Sequence, residues 1–243
     1  MKTLIFAKRV MKEIIRDPIS LFFGLAFPLI LLLLLTVINR SIPVDLFNIS
    51  SLAPGIAVFG LSFMATFTAQ VVAKDRASSF LTRLFTTPMT SQNFILGYML
   101  PLVIMSVIQV ALCLFASLFL GLDFSLTIFA VILILIPMAL IYIGIGLICG
   151  TLFSEKAAVG ICGALLTNLS AWLSGVWFDL ELVGGVFKNI ANALPFVHAV
   201  EVGKAVLNGY YEGMFPHLWW VIGYAIIIVV VSIFVFKKKT QEL

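Results

Sequence analysis

Long apolar runs alternate with short polar stretches along this chain. Six of the runs are close to the roughly 20 apolar residues that a helix needs to cross a lipid bilayer. They lie at residues 19–38, 52–73, 94–120, 126–152, 157–176 and 218–236. The pattern predicts six membrane-spanning helices, numbered here as spans 1 to 6. An even number of spans puts both ends of the chain on the same side of the membrane.

Residues 1–17 have a different pattern, because apolar and charged side chains occupy separate arcs at 100° per residue. The apolar arc carries Leu4, Ala7, Val10, Met11, Ile14 and Ile15, and the polar arc carries Lys2, Lys8, Arg9, Lys12, Glu13 and Arg16. A basic amphipathic helix of this kind lies in the headgroup plane of a membrane. We therefore predict an N-terminal interfacial helix, after which Asp17 and Pro18 turn the chain into the bilayer.

Composition agrees with a membrane protein. Hydrophobic residues make up 62% of the 243 residues and charged residues only 11%, whereas soluble domains are about 45–50% apolar and about 25% charged. We predict an all-α membrane protein with a single domain over residues 1–243. The three cysteines fall inside apolar runs without Cys-x-x-Cys spacing, so they are interpreted as packing residues. We expect no metal site and no nucleic-acid partner.

The distribution of lysine and arginine predicts the orientation. Twelve of the fifteen basic residues lie on the side that holds both termini, and three (Arg40, Lys188 and Lys204) lie on the other side. The positive-inside rule then puts both termini in the cytoplasm. We expect a multi-pass protein of a bacterial-type cell membrane.

Ionisable residues are missing from the interior of every predicted span. Proton-coupled transporters and voltage sensors need such groups at membrane depth, and an intramembrane hydrolase needs a buried nucleophile and base, so these classes are disfavoured. The chain also has no Gly-x-x-x-x-Gly-Lys-Ser/Thr loop for nucleotide phosphates. The chain is therefore not expected to be an enzyme, and any ATP that drives transport must be hydrolysed by another subunit.

The most polar stretch between two spans is the loop at residues 74–93, which contains the sequence KDRASSFLTRLFTTP. Four apolar residues form one stripe of a short helix: Phe80, Leu81, Leu84 and Phe85. That helix is expected to end before Pro88, because the residue preceding a proline is pushed out of the α region. One interpretation is a docking element for a partner protein, and the other is a membrane-surface loop whose apolar side chains rest on lipid.

The connection between spans 5 and 6, residues 177–217, is too apolar for a solvated loop. We predict two short helices that dip into the outer leaflet, with a break at Pro195. His198, Glu201 and Lys204 follow at three-residue steps on the second helix. They form either a gate or proton relay, or an interfacial polar face with a local ion pair.

Small residues and prolines shape the spans. Gly146 and Gly150 form a Gly-x-x-x-Gly motif in span 4, which serves either packing within the subunit or a dimer contact. Three prolines interrupt predicted spans: Pro28, Pro101 and Pro137.

The loop at residues 74–93 also resembles a known motif. The first cytoplasmic loop of ABC type-2 exporter permeases, especially their drug-export branch, follows the pattern Asp-Arg-x-x-Gly-Phe-Leu-x-Arg-Leu-x-x-Thr-Pro. This chain matches it at Asp75, Arg76, Phe80, Leu81, Arg83, Leu84, Thr87 and Pro88, with Ser79 in place of the glycine. The Arg16-Asp17-Pro18 start and the segment from Pro195 to Gly209 are similar to the same family.

The resemblance implies a mechanism. Two six-span permeases, here most simply a homodimer, would surround a central path, and two copies of an ATPase subunit, which binds ATP and Mg, would dock on the coupling helix. The docking residues would be Asp75, Arg76, Phe80, Leu81, Arg83, Leu84, Phe85 and Pro88. The exported compound would be amphipathic or hydrophobic, such as a drug, antibiotic or peptide. Two alternatives are export of a lipid-linked glycan and a non-transporting membrane anchor or sensor.

Overall fold

The computed structural model describes residues 2–41, 48–78, 90–178 and 180–241, and no β-strand occurs within these ranges. In the described part of the chain, six helices are long and apolar enough to cross a membrane. Spans 1 to 6 are Pro18–Arg40, Ile49–Ala77, Ser91–Phe119, Thr127–Leu152, Glu155–Leu173 and Tyr211–Lys239. The predicted all-α membrane fold with six spans is confirmed. Span 6 begins at Tyr211, earlier than expected, so His217 lies on its helix rather than in the preceding loop.

Span 2 is the central helix of the bundle. In the most apolar 18-residue stretch of span 2, 89% of the residues are buried. The corresponding fractions for spans 1 and 6 are only 28% and 17%. Span 2 packs against spans 1, 3, 4 and 5 through many small residues, which allow helix backbones to approach closely in a membrane. Any movement of span 2 is therefore transmitted directly to its neighbours.

The Gly-x-x-x-Gly motif of span 4 lies against span 2. A Cβ atom at Gly146 would sit 2.3 Å from the carbonyl oxygen of Ala65, and one at Gly150 would sit 2.7 Å from that of Ala69. Neither position has room for a side chain. The interpretation of this motif as a packing site within the subunit is confirmed.

Two spans are irregular near prolines that were expected to interrupt them. Span 4 consists of helices Thr127–Ile134 and Ile136–Leu152, with Pro137 in the first turn of the second, where its missing N–H is tolerated. Span 1 contains a π-helical turn, Phe22–Ala26, which ends two residues before Pro28. The helix of span 3 runs without a break through Pro101. A second π-helical turn, Ile161–Leu166, occurs in span 5 without any proline.

The N-terminal helix, Lys2–Ile15, rests on span 3. Its Phe6, Val10 and Ile14 are buried, and the Phe6 ring meets the ring of Tyr98 edge-on with 4.9 Å between centroids. The helix therefore uses part of its apolar arc on protein, while Leu4, Ile5 and Ile15 stay exposed. The side of the bundle that carries this helix is called the N-terminal side below.

Three short helices precede span 6: Leu180–Val183, Gly185–Ala193 and Pro195–Leu207. The last two bend by 75° at Leu194, directly before Pro195. The break at this proline and the two flanking helices agree with the sequence. Their entry into the outer leaflet stays a prediction.

Candidate functional site

The end of span 2 carries a buried carboxylate. Asp75 is 1% exposed, and it lies in the last helical turn, just before residues 79–89. Both terminal nitrogens of the Arg9 guanidinium donate to its two oxygens, and the Tyr98 hydroxyl donates to Asp75 Oδ2 at 2.7 Å. A buried carboxylate is tolerated only with such charge-assisted partners. Asp75 therefore fastens span 2 to the N-terminal helix and to span 3.

A second acidic residue extends this arrangement. Glu13 lies 3.0 Å from an Arg9 nitrogen and 3.1 Å from Lys74 Nζ. Burial lowers the pKa of the Arg9 guanidinium, but the hydrogen bond and negative charge of Asp75 raise it more, so this pKa lies above its ordinary value. The four side chains thus form a chain of ion pairs in the order Lys74, Glu13, Arg9 and Asp75. Each of these contacts joins charges of opposite sign.

Arg76 joins the end of span 2 to the end of span 4. Its guanidinium donates to the backbone carbonyl oxygens of Thr151 and Phe153. Thr151 lies in the last turn of the helix Ile136–Leu152 and Phe153 directly follows it. Free carbonyl acceptors and the helix dipole favour a cation at such a helix end. Together, the residues that hold the end of span 2 are called the polar clamp: Arg9, Glu13, Lys74, Asp75, Arg76 and Tyr98.

The polar clamp contains two of the eight predicted docking residues, Asp75 and Arg76, and the structure engages both within the chain. The other six fall in residues 79–89: Phe80, Leu81, Arg83, Leu84, Phe85 and Pro88. They lie outside the described residues, as does the predicted short helix that carries them. Their docking role stays a prediction.

Sequence reasoning did not identify Arg9 and Tyr98 as partners of Asp75. One signal was available, since an acidic residue in the last turn of a helix is unfavourable next to the negative end of the helix dipole. Such a residue needs a cation from elsewhere in the fold. The sequence does not say which of the nearby basic residues supplies it.

On the opposite side of the bundle, the structure brings three predicted residues close to span 6. Lys204 Nζ lies 2.8 Å from Glu201 Oε1, which confirms the local ion pair. His198 Nδ1 lies 2.6 Å from Nδ1 of His217, and His198 Nε2 lies 2.8 Å from the carbonyl oxygen of Asn192. Since that carbonyl only accepts, a neutral His198 donates from Nε2–H and accepts a hydrogen bond at Nδ1 from the Nδ1–H of His217.

The histidine pair has an electrostatic consequence. Burial and the neighbouring His217 lower the pKa of His198 below its ordinary value, and the hydrogen bond to Asn192 offsets them only in part. No cluster of three or more His, Cys, Asp or Glu side chains suited to a metal occurs among the residues that the structure describes. A gating role of these residues stays a prediction.

The remaining two predicted residues mark the ends of the helix Pro195–Leu207. Pro195 occupies its first turn. Gly209 follows its last turn with φ +71°, a left-handed conformation that glycine adopts readily, and the Tyr210 N–H donates to the Ala205 carbonyl at 2.8 Å. This is an ordinary glycine helix terminus. Both residues are thus explained by local structure.

One comparison with known proteins gives a match. The model of the family described as ABC-2 type transporter matches residues 1–208, which include the polar clamp, spans 1 to 5 and the three short helices before span 6. No curated protein matches the chain.

Proposed function

The chain belongs to the ABC-2 type transporter family, and from this premise we propose that it exports an amphipathic or hydrophobic compound, driven by a separate ATPase subunit. As a family member it is a multi-pass transmembrane permease component and not the ATPase. The proposal concerns the partner, the direction of transport and the class of substrate.

The polar clamp is the observation that carries the proposed coupling. It attaches the segment just before residues 79–89 to the N-terminal helix through Arg9, to span 3 through Tyr98, and to span 4 through Arg76. A push on that loop would therefore displace several helices together rather than bend one helix end. This supports residues 79–89 as the place where an ATPase subunit docks.

The N-terminal side of the bundle faces the cytoplasm in this proposal. This orientation is supported by the distribution of basic residues, because twelve lie on that side and three on the other. A cytoplasmic ATPase could then reach residues 79–89. Two copies of the chain would pair around the path, which agrees with the largely exposed apolar surfaces of spans 1 and 6. The apolar character of the spans suits an amphipathic or hydrophobic cargo.

The docking proposal is tested by charge placed on one face of the predicted short helix. Leu84→Asp with Phe85→Asp puts two charges on the apolar stripe, whereas Thr82→Asp with Thr86→Asp puts two charges on the opposite face. We expect the first variant to lose an ATPase subunit that otherwise co-purifies from native membranes in gentle detergent. The control variant should retain it.

Identification of the co-purified proteins by mass spectrometry provides the readout. Full retention of the ATPase by the Leu84→Asp, Phe85→Asp variant, together with unchanged export, would refute docking at this stripe. A complex that forms but never shows substrate-stimulated ATP turnover would favour the non-transporting anchor.

A further inference from the structure

A large cavity lies between the polar face of the N-terminal helix, the start of span 1 and the end of span 2. Its volume is about 980 Å³, at the upper end of the range for small-molecule sites. Pro18 and Ser20 from the first turn of span 1 line it. The cavity is therefore at the depth where a membrane-spanning helix begins, which is the headgroup region of the bilayer.

The charge of the cavity is strongly positive. Five cationic side chains line it, Lys8, Arg9, Lys12, Arg16 and Lys74, against the two carboxylates of Glu13 and Asp17. Both carboxylates have partners within the chain. Glu13 is held by Arg9 and Lys74, and Asp17 accepts from the Ile19 N–H at 3.1 Å and the Ser20 hydroxyl at 2.7 Å.

Three of the cations remain available. The side chains of Lys8, Lys12 and Arg16 are exposed and make no hydrogen bond or ion pair with the described residues. Lys8 and Lys12 are one helical turn apart, and the Arg16 N–H donates to the Lys12 carbonyl at 3.1 Å, so the three follow one another along one face. This row of cations is suited to a phosphate group.

The cavity is also apolar in part. Ile5 is 67% exposed although it lies among the basic residues of the helix, and Phe67 and Val71 of span 2 form the opposite wall. A soluble anion would leave the exposed Ile5 side chain in water. A molecule with an anionic head and an apolar chain would cover both the cations and the apolar wall.

We propose that this cavity binds an anionic phospholipid of the adjoining leaflet, with its phosphate on Lys8, Lys12 and Arg16 and an acyl chain against Ile5 and Phe67. The lipid is a bound ligand rather than the cargo, and its binding does not depend on the proposed export. Arg9, Glu13 and Lys74 belong both to the cavity and to the polar clamp. Lipid occupancy therefore bears on the helix attachments that surround Asp75.

Native mass spectrometry of the purified permease tests this site, with dioleoyl phosphatidylglycerol and dioleoyl phosphatidylcholine as probes. The variant Lys8→Gln, Lys12→Gln, Arg16→Gln removes three charges from the cavity. The control Lys237→Gln, Lys238→Gln, Lys239→Gln removes three charges from the end of span 6, on the same side of the bundle. Circular dichroism and gel filtration confirm that both variants are folded.

We expect the wild-type chain to bind one phosphatidylglycerol in preference to phosphatidylcholine. A basic residue near an anionic membrane surface contributes about fivefold in affinity, so the cavity variant should bind roughly a hundredfold more weakly and the control less than about fivefold more weakly. Equal losses in the two variants, or equal binding of the two lipids, would overturn the proposal.

A competition experiment separates the lipid from other anionic ligands. Soluble glycerol 3-phosphate should displace phosphatidylglycerol only at far higher concentration, because it cannot cover Ile5 and Phe67. Displacement at equal concentration would show a site for a soluble anion and overturn the lipid assignment. Displacement of the phospholipid by a transported compound at equal concentration would identify the cavity as a cargo site and also overturn it.

Discussion

Asp75 shows how a single buried charge can organise the end of a helix. It is 1% exposed, whereas its partner Arg9 keeps a 36% exposed side chain. Desolvation therefore falls mainly on the carboxylate, and removal of Arg9 would leave that carboxylate buried without a counter-charge. Removal of both charges leaves no such penalty.

This asymmetry predicts a rescue. Arg9→Met should lower the free energy of unfolding by about 2–3 kcal/mol, less than for a fully buried pair because Arg9 is partly exposed. Adding Asp75→Asn to Arg9→Met should recover most of this lost stability. Lys12→Met, which removes an exposed cation from the same helix, should change the free energy of unfolding by less than about 0.5 kcal/mol.

Thermal unfolding in detergent without anionic lipid measures the stability of the two single variants and of the double variant. Equal stability of the Arg9→Met and Lys12→Met variants would contradict this role of Asp75.

The histidine pair gives a prediction for pH. Because the pKa of His198 is lowered in the folded chain, neutral His198 stabilises the packing of the helix Pro195–Leu207 at pH above about 6.5, and this contribution is lost as the pH falls through the folded-state pKa. NMR titration of the imidazole protons in nanodiscs should place the His198 midpoint below 6.5. His217→Gln should move this midpoint upward, since it removes a neighbouring positive charge. A midpoint that does not respond to this substitution would rule out electrostatic coupling of the pair.

Between the helices, the contact of spans 2 and 4 is limited by space. A Cβ atom at Gly146 would lie 2.3 Å from a backbone oxygen of span 2, and a backbone atom cannot move aside as a flexible side chain can. A Cβ atom added at Gly223 in span 6 would have no neighbouring atom within 4 Å. The two glycines occur in similar apolar sequence but differ in what surrounds them.

Gly146→Ala should therefore destabilise the bundle by about 1–3 kcal/mol, the typical cost of overpacking. Gly223→Ala should be neutral or slightly stabilising, because alanine favours a helix more than glycine does. The melting temperatures of the two variants in the same detergent test this. Equal melting temperatures would mean that spans 2 and 4 are not packed as closely as described.

Hydropathy was sufficient to locate the six spans, because each one needs a long apolar run. It misplaced the start of span 6, since Tyr211–His217 is too polar to count as membrane sequence yet continues the same helix. Helix periodicity also identified the N-terminal helix but not that Phe6 and Val10 face span 3. The polar clamp could not be predicted from the sequence, because Arg9, Asp75 and Tyr98 are distant along the chain. Only the packing of three helices brings them together.

Across the bundle, the polar clamp and span 2 connect one face of the protein to its core. Span 2 contacts spans 1, 3, 4 and 5 and the helix Pro195–Leu207, and the clamp fixes its end beside residues 79–89. Energy delivered to that loop would spread through the central helix. Coupling through this loop therefore requires that residues 79–89 face the cytoplasm and contact an ATPase subunit.

Site-specific cross-linking tests this requirement most directly. The three native cysteines are buried, so a membrane-impermeant thiol reagent does not reach them. One further cysteine is introduced by Leu84→Cys or, as a control, by Ile190→Cys at an exposed position of the helix Gly185–Ala193. We predict that the Leu84→Cys variant cross-links to an ATPase subunit and is protected from a membrane-impermeant thiol reagent added outside intact cells. The Ile190→Cys variant should react with that reagent and form no such cross-link. Reaction of the Leu84→Cys variant from outside, or an ATPase cross-link only from position 190, would contradict the account.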